Sequence, residues 1–238
     1  MANHALAGLE TALRARKLDR TLTTALPPLE RRDEAALIAT DITALDACLR
    51  GGLPRGQLSE IVGPHSSGRT TLVLQAIAAS TRRGEIAAVV DTFDRLDVAS
   101  AAAAGIDLDR LLWIRGLSHV ERALKALNLV LQAGGFACVA LDLADVPPSA
   151  LTRIPFTTWL RVQRIIEGSD TACVLIAPQP LARSAGGLTL SLTGRTRWTG
   201  DADRSRHLTG ADLTVRLVSP RRRVDGEVSI RASGNDSH

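Results

Sequence analysis

Apolar and polar positions change their spacing regularly along the chain from about residue 41 onward. Five short apolar runs have the length and β-branched content of buried strands, and the stretches between them repeat apolar residues with helical periodicity. This pattern predicts strands at 58–62, 86–91, 111–114, 136–142 and 172–177, and helices at 70–82, 94–104, 120–133 and 155–167. Because alternating strands and helices are typical of βαβ units, we expect an α/β fold with a mostly parallel central sheet and flanking helices.

Beyond residue 180 the pattern becomes one of short alternating stretches separated by glycines. Residues 188–192, 213–217 and 228–231 alternate apolar and polar side chains, which is typical of half-buried strands joined by hairpins. We therefore expect the core domain, at 41–232, to end in a C-terminal antiparallel extension of the sheet. Residues 233–238 are predicted to form a frayed tail.

The residues before the core domain have the pattern of a separate helix. Leu6, Leu9 and Leu13 share one helical face, which predicts an amphipathic helix within 1–26. Pro27 and Pro28, followed by a charged run, predict a linker at 27–40. The helix either packs on its own domain or docks on a partner through its leucines, and the pattern favours neither alternative.

Composition narrows the class of protein further. A chain of 238 residues with 45% hydrophobic content can bury one sizeable core. The first residues lack the features of a secretory signal, and no apolar run approaches the roughly 18 residues that span a bilayer, so we expect a cytoplasmic protein without membrane contact. Cys48, Cys138 and Cys173 are odd in number, widely spaced and set among apolar residues, which argues against disulfides and a zinc cluster.

Net charge is +4, and arginines are concentrated in the last quarter of the chain. A basic face of this kind suits nucleic-acid phosphates, and an ordinary solvated surface explains it equally well. With three phenylalanines, three tryptophans and no tyrosine, the chain is poorly equipped to bind single strands by aromatic stacking. The candidate residues for contact with single-stranded DNA are Arg183, Arg195, Arg197, Arg221, Arg222 and Arg223.

A phosphate-binding loop is predicted between the strand at 58–62 and the helix at 70–82. Gly63 and Gly68 permit a turn that directs backbone N–H groups at a phosphate, and the helix start adds the positive end of its dipole. Thr70 offers a hydroxyl to Mg²⁺, and Asp142, at the end of a later strand, offers either a carboxylate to the same ion or a cap to its own turn. The candidate residues of the loop are Gly63, Pro64, His65, Ser66, Ser67, Gly68, Arg69, Thr70 and Thr71.

Residues 51–57, the stretch 63–72 and Gln75 resemble the corresponding part of the RecA recombinase family, and the resemblance covers about 41–177. It implies a RecA-like P-loop fold and a site for ATP with Mg²⁺. Gln179 matches the glutamine that senses the terminal phosphate in that family and is therefore a further candidate for the nucleotide site. Pro178 and Pro180 stiffen the backbone on either side of it.

Pro178 and Pro180 depart from that family's pattern, and two further positions do so as well. Arg69 stands where the family has lysine, and a planar guanidinium cannot place a compact ammonium between phosphates. The family's catalytic glutamate falls on Phe93, whose ring can neither accept a proton nor orient water, unless Asp94 takes over that role. We therefore expect weak ATP binding at most, no efficient ATPase activity and no catalytic residue.

With these altered positions and the run 181–188, the chain resembles the ImuA group of RecA-like accessory proteins. That resemblance implies an adaptor in SOS-induced, error-prone translesion DNA synthesis. Its partners would be an ImuB-like homologue of Y-family polymerases, an error-prone DnaE-type polymerase and RecA. Two alternatives stay open: a DNA-stimulated RecA-like ATPase or recombinase, and a protein that binds DNA without hydrolysis.

Overall fold

Eight strands form the central sheet, and helices pack on both of its faces. The computed structural model describes residues 36–182, 186–200, 207–219 and 227–233. In chain order the elements are β1 (Leu37–Ile38), α1 (Thr43–Leu49), β2 (Leu53–Pro54), β3 (Leu58–Val62), α2 (Arg69–Arg82), β4 (Ala87–Asp91), α3 (Val98–Ala103), β5 (Leu111–Ile114), α4 (Val120–Ala133), β6 (Cys138–Asp142), α5 (Pro148–Leu151), α6 (Phe156–Ile166), β7 (Ala172–Ala177), β8 (Thr189–Thr199), β9 (His207–Ser219) and β10 (Glu227–Ser233).

The order of strands in the sheet is β10-β9-β8-β3-β7-β6-β4-β5. The six strands from β8 to β5 run parallel, whereas β9 is antiparallel to both β8 and β10. The predicted fold class is confirmed: the protein has an α/β fold with a mostly parallel sheet, flanking helices and a C-terminal antiparallel extension.

Side chains of the parallel strands alternate between two core clusters, one on each face of the sheet. Val89 belongs to the first cluster, and its neighbours Ala88 and Val90 belong to the second. Residues of α2 complete the first cluster, and residues of α4 and α6 complete the second. Because both faces are covered, nearly all positions of β4, β6 and β7 are apolar, and this produces the continuous apolar runs of the sequence. In β3, Ser59 and Glu60 are buried polar residues.

The helix predicted at 94–104 is shorter in the structure, where α3 spans Val98–Ala103. The carboxylate of Asp91 accepts two backbone N–H groups of the following turn, at 2.9 and 2.8 Å. Asp94 within that turn has a left-handed φ of 60°. The chain therefore turns once more before Asp97 caps α3.

Part of the predicted linker at 27–40 belongs to the folded core. It includes β1, which pairs antiparallel with β2, and Ile38 is fully buried. Thr40 donates its N–H and its hydroxyl to the carboxylate of Asp46. The core therefore begins before residue 41, because these residues pair and pack. At the other end Ser233 belongs to β10 rather than to a tail.

Several predicted segments lie outside the described residues. They include the helix at 1–26 with Leu6, Leu9 and Leu13, and residues 234–238, so those assignments stay predictions. Within the described ranges, no helix has the length and apolar character needed to cross a membrane.

The three cysteines are free thiols. Cys138 and Cys173 are fully buried in neighbouring strands of the sheet, and Cys48 is half-buried. Burial raises the pKa of the Cys138 thiol to about 12 and also raises the pKa of Cys173. The two buried thiols therefore stay protonated and act as apolar core residues.

Candidate functional site: a phosphate-binding cleft

The phosphate-binding loop leaves β3 at Gly63 and enters α2 at Arg69. A Cβ atom on Gly63 would lie 2.3 Å from the carbonyl oxygen of Leu192 in β8, and one on Gly68 would lie 2.6 Å from the side chain of Leu213 in β9. Gly68 also has a φ of +87°, which glycine adopts without strain. Glycine at both positions thus allows the loop to pack directly against the antiparallel extension.

The loop borders a cleft of about 320 Å³ at the carboxyl ends of the parallel strands. Other residues of the cleft follow β4 and β6, which are neighbours in the sheet. A cleft of this volume suits a small ligand. Its lining consists of His65, Ser66, Ser67, Gly68, Arg69, Thr70, Thr71, Arg95, Asp142, Ala144 and Asp145.

Two buried polar atoms of the loop, one in Ser67 and one in Arg69, have no hydrogen-bond partner within the described part of the chain. Ser67 is 2% exposed and Arg69 is 5% exposed. Among the described residues, neither the Ser67 hydroxyl nor Nη1 of Arg69 has a hydrogen-bond partner. Burial lowers the pKa of Arg69, and the negative charges of Asp142 and Asp145 oppose that shift. Unsatisfied buried donors cost about 1–3 kcal/mol each, so both atoms fit a phosphate oxygen as their missing acceptor.

Asp142 ends β6 and places its carboxylate in the same cleft. Its Oδ1 accepts the N–H of Ala144 at 2.8 Å. The pKa of Asp142 is raised to about 6, chiefly by burial and also by the nearby charges of Asp91 and Asp145, whereas the Ala144 hydrogen bond and the charge of Arg69 oppose the rise. The exposed Thr70 hydroxyl lines the cleft as well. One carboxylate and one hydroxyl suit Mg²⁺, which keeps several waters, so these two residues fit the ion that a phosphate ligand would bring.

Arg95 and Asp145 are residues of the cleft that sequence reasoning missed. Arg95 Nε lies 2.9 Å from Asp145 Oδ2, and His65 Nδ1 lies 3.7 Å from Asp145 Oδ1. The His65 side chain is 79% exposed, and the Arg95 side chain is 67% exposed. Ion pairs as exposed as these contribute about 0–1 kcal/mol to stability. The available signal was that both residues closely follow strands that end at one edge of the sheet.

Phe93 and Asp94, where the resemblance predicts the loss of a catalytic glutamate, lie outside the lining of the cleft. Phe93 is half-buried and packs against the second core cluster. Asp94 forms an ion pair with Arg115 at 2.5 Å. Neither residue lines the cleft. Asp91, which ends β4, is 1% exposed and also accepts the indole N–H of Trp113, so its carboxylate serves the turn.

Gln179 lies beyond β7, is exposed and does not line the cleft. The segment that follows it is attached to the strand before the loop through Glu60, which is 1% exposed. One carboxylate oxygen of Glu60 accepts the N–H groups of Leu181 and Ala182 at 2.6 and 2.8 Å, and the other accepts the Thr189 hydroxyl at 3.2 Å. A buried charged residue that reads as part of an apolar strand thus fixes the chain between β7 and β8.

The candidate DNA-contacting residues are only partly described. Arg195 and Arg197 lie on β8, whereas Arg183, Arg221, Arg222 and Arg223 lie outside the described residues. Strand register places Arg195 opposite Asp212, and Asp212 opposite Arg231. Since residues two apart share a face of a strand, we define the basic face of the extension as Arg195, Arg197, Arg216 and Arg231. Two acidic residues, Asp212 and Glu227, share this face.

The sheet, the loop and the cleft define an α/β protein of the P-loop class. The family model of the RecA N-terminal domain matches residues 23–152, and the chain therefore belongs to that family. The family prediction made from the loop and the preceding glycines is confirmed at this level.

Curated relatives resemble the chain over part of their length. It is 42% identical to protein RecA of Clavibacter michiganensis over 123 residues, which cover 51% of this chain and 34% of the relative. It is 41% identical to protein RecA of Salinispora tropica over 119 residues, covering 49% and 34%, and 44% identical to protein RecA of Borrelia hermsii over 101 residues, covering 42% and 28%. The matched region thus spans about a third of the length of these relatives.

Proposed function

We propose that the chain is a RecA-like adaptor in SOS-induced, error-prone translesion DNA synthesis, with a site that binds ATP and Mg²⁺ weakly and hydrolyses ATP inefficiently. The observation that carries the proposal is the position of Phe93. Its half-buried ring packs against the second core cluster, where the resemblance predicts the RecA family's catalytic glutamate, and Asp94 pairs with Arg115 outside the cleft. A site without a base at that position can bind ATP but hydrolyses it slowly.

The residues of the cleft support weak binding. Backbone N–H groups at the start of α2, the Ser67 hydroxyl and Nη1 of Arg69 would donate to phosphate oxygens. Thr70 and Asp142 would hold Mg²⁺ through its waters, and the ion would neutralise part of the phosphate charge. Asp142 and Asp145 add two negative charges to the lining, which opposes an anionic ligand.

The adaptor role rests on the resemblance of the run 181–188 and of the altered site to the ImuA group. The proposed partners are an ImuB-like homologue, a DnaE-type polymerase and RecA, all met in the cytoplasm. We test this by affinity purification of the full chain from DNA-damaged cells, in which at least one of the three should co-elute. Recovery of none would overturn the adaptor proposal.

The leucine stripe is the proposed docking element. Replacing Leu6, Leu9 and Leu13 by glutamate should abolish partner recovery, because a charged stripe cannot enter an apolar groove. The matched control replaces His4 and Thr11, which helical spacing places on the face opposite the leucines, by glutamate, and should leave recovery unchanged. Equal recovery from both variants would exclude the stripe as the docking element.

A DNA-stimulated ATPase or recombinase is the second candidate. Two carboxylates in the cleft, Asp142 and Asp145, favour it, since either could accept a proton. Turnover of about 0.1 per second or faster with single-stranded DNA would establish this function, because such a rate requires substantial transition-state stabilisation. Under the adaptor proposal, hydrolysis stays near background, and Arg69→Lys does not restore it because Phe93 is unchanged.

A further inference from the structure

The cleft contains cations of two kinds. Arg69 belongs to the loop and is buried, whereas Arg95 comes from the turn after β4 and has a largely exposed side chain. Arg95 therefore has the freedom to move toward a ligand, and Arg69 does not. Both line the same cleft of about 320 Å³.

Asp145 forms an ion pair with the exposed guanidinium group of Arg95. Its carboxylate lies 2.9 Å from Nε of Arg95 on one oxygen and 3.7 Å from Nδ1 of His65 on the other. The three residues come from different parts of the chain: the loop, the turn after β4 and the turn after β6. Asp145, in the turn after β6, thus connects to the loop through His65 and to the turn after β4 through Arg95.

The charges of the lining balance when His65 is neutral. Arg69 and Arg95 contribute two positive charges, and Asp142 and Asp145 contribute two negative charges. A phosphate chain therefore meets a cleft whose attraction is cancelled by its own carboxylates. Removing one carboxylate gives the lining a net positive charge and leaves Arg95 without its partner.

We propose that Arg95 is a second phosphate-binding residue of the cleft and that Asp145 is the residue that limits its use, so that phosphate must displace Asp145 from Arg95. Arg95 then donates hydrogen bonds to the phosphate chain from the turn after β4, whereas the loop donates from the start of α2. Asp145 sets the affinity of the site. This inference rests on the proposed binding of ATP.

The test measures equilibrium binding of a fluorescent ATP analogue with Mg²⁺ to the full chain. Asp145→Asn should tighten binding by at least about tenfold, because it removes a unit charge near the phosphates and releases Arg95. Adding Arg95→Ala to Asp145→Asn should weaken binding again by about tenfold or more. Inorganic pyrophosphate, used as a competitor, should show the same two changes, since the contact is to phosphate.

The chain offers a matched control in the Asp94 and Arg115 pair. It is the same kind of exposed ion pair, at 2.5 Å, and neither residue lines the cleft. Asp94→Asn and Arg115→Ala should change binding less than twofold. Circular dichroism checks that each variant is folded. We expect both to fold, because the Arg95 side chain is largely exposed and Asp145→Asn is a conservative change.

Three results would overturn the inference: no gain on Asp145→Asn, no loss when Arg95→Ala is added to it, or equal gains from Asp94→Asn. Failure of the natural chain and of every variant to bind the analogue would also overturn it. The adaptor proposal is tested separately by partner recovery, so it could survive that outcome.

Discussion

Replacing Glu60 by alanine tests how the strand before the phosphate-binding loop fixes the chain between β7 and β8. The natural carboxylate is 1% exposed and accepts three hydrogen bonds, two from the backbone N–H groups of Leu181 and Ala182 and one from the Thr189 hydroxyl. Alanine removes all three acceptor contacts and leaves a cavity. Glutamine is the matched control, because it keeps one carbonyl oxygen for the two N–H groups.

The magnitude follows from the donors that lose their acceptor. Two backbone N–H groups left unsatisfied cost about 1–3 kcal/mol each, and the lost side-chain packing adds to this. Relief of a buried charge offsets part of the sum. We expect Glu60→Ala to lower the free energy of unfolding by about 3 kcal/mol or more, and Glu60→Gln by about 1 kcal/mol.

Denaturant unfolding followed by circular dichroism measures both values, and amide hydrogen exchange locates the effect. In Glu60→Ala the amides of Leu181 and Ala182 should lose protection, whereas in Glu60→Gln they should keep it. An alanine variant within about 1 kcal/mol of the natural chain, or a glutamine variant as unstable as alanine, would refute this reasoning.

Three further predictions concern the loop, the cleft and the extension. Gly63→Ala should cost about 1–3 kcal/mol in thermal unfolding and abolish nucleotide binding, because its Cβ would lie 2.3 Å from the Leu192 carbonyl oxygen; unchanged binding would contradict this. The pKa of Asp142 is about 6 in the folded protein against an ordinary 3.8. The contribution of its carboxyl group to the free energy of unfolding is therefore greatest below about pH 4 and is lost as the pH rises through 6. In EDTA, the free energy of unfolding of Asp142→Asn, relative to that of the natural chain, should therefore rise by on the order of 2–3 kcal/mol between pH 4 and pH 6.5. A difference that does not change with pH would contradict this prediction. Replacing all four arginines of the basic face by glutamine should weaken binding of single-stranded DNA and flatten its salt dependence, measured by fluorescence anisotropy, whereas an unchanged salt slope would assign those arginines to ordinary surface.

Much of the fold was predictable because its signals are local. Strands β4, β6 and β7 are apolar at nearly all successive positions, and the loop between β3 and α2 has its glycines at the spacing a phosphate requires. Predicted helix ends were less accurate where a side chain from a neighbouring element intervened. Before α3 the Asp91 carboxylate accepts the N–H groups of Arg95 and Leu96 and fixes a separate turn, so the helix begins only after its N-cap, Asp97.

Sequence analysis assigned residues 63–71 and Asp142 to the candidate site, and residues 65–71 and Asp142 line the cleft. Arg95 and Asp145 are fifty positions apart and meet because β4 and β6 are neighbours in the sheet, an order that no local pattern encodes. Gln179 was assigned by resemblance, and the structure places it outside the cleft. Residues of the basic face likewise share a surface through the register of β8, β9 and β10.

The sequence by itself determined the α/β class, the glycine-bordered loop between β3 and α2 and membership of the RecA family, because apolar spacing and a contiguous motif carry that information within short segments. Only the tertiary structure decided which charges face one another in the cleft, that Phe93 packs into the core, and that Glu60 holds the chain before β8. These contacts join residues distant in the chain, and their geometry follows from strand order and register, which are fixed when the whole sheet assembles.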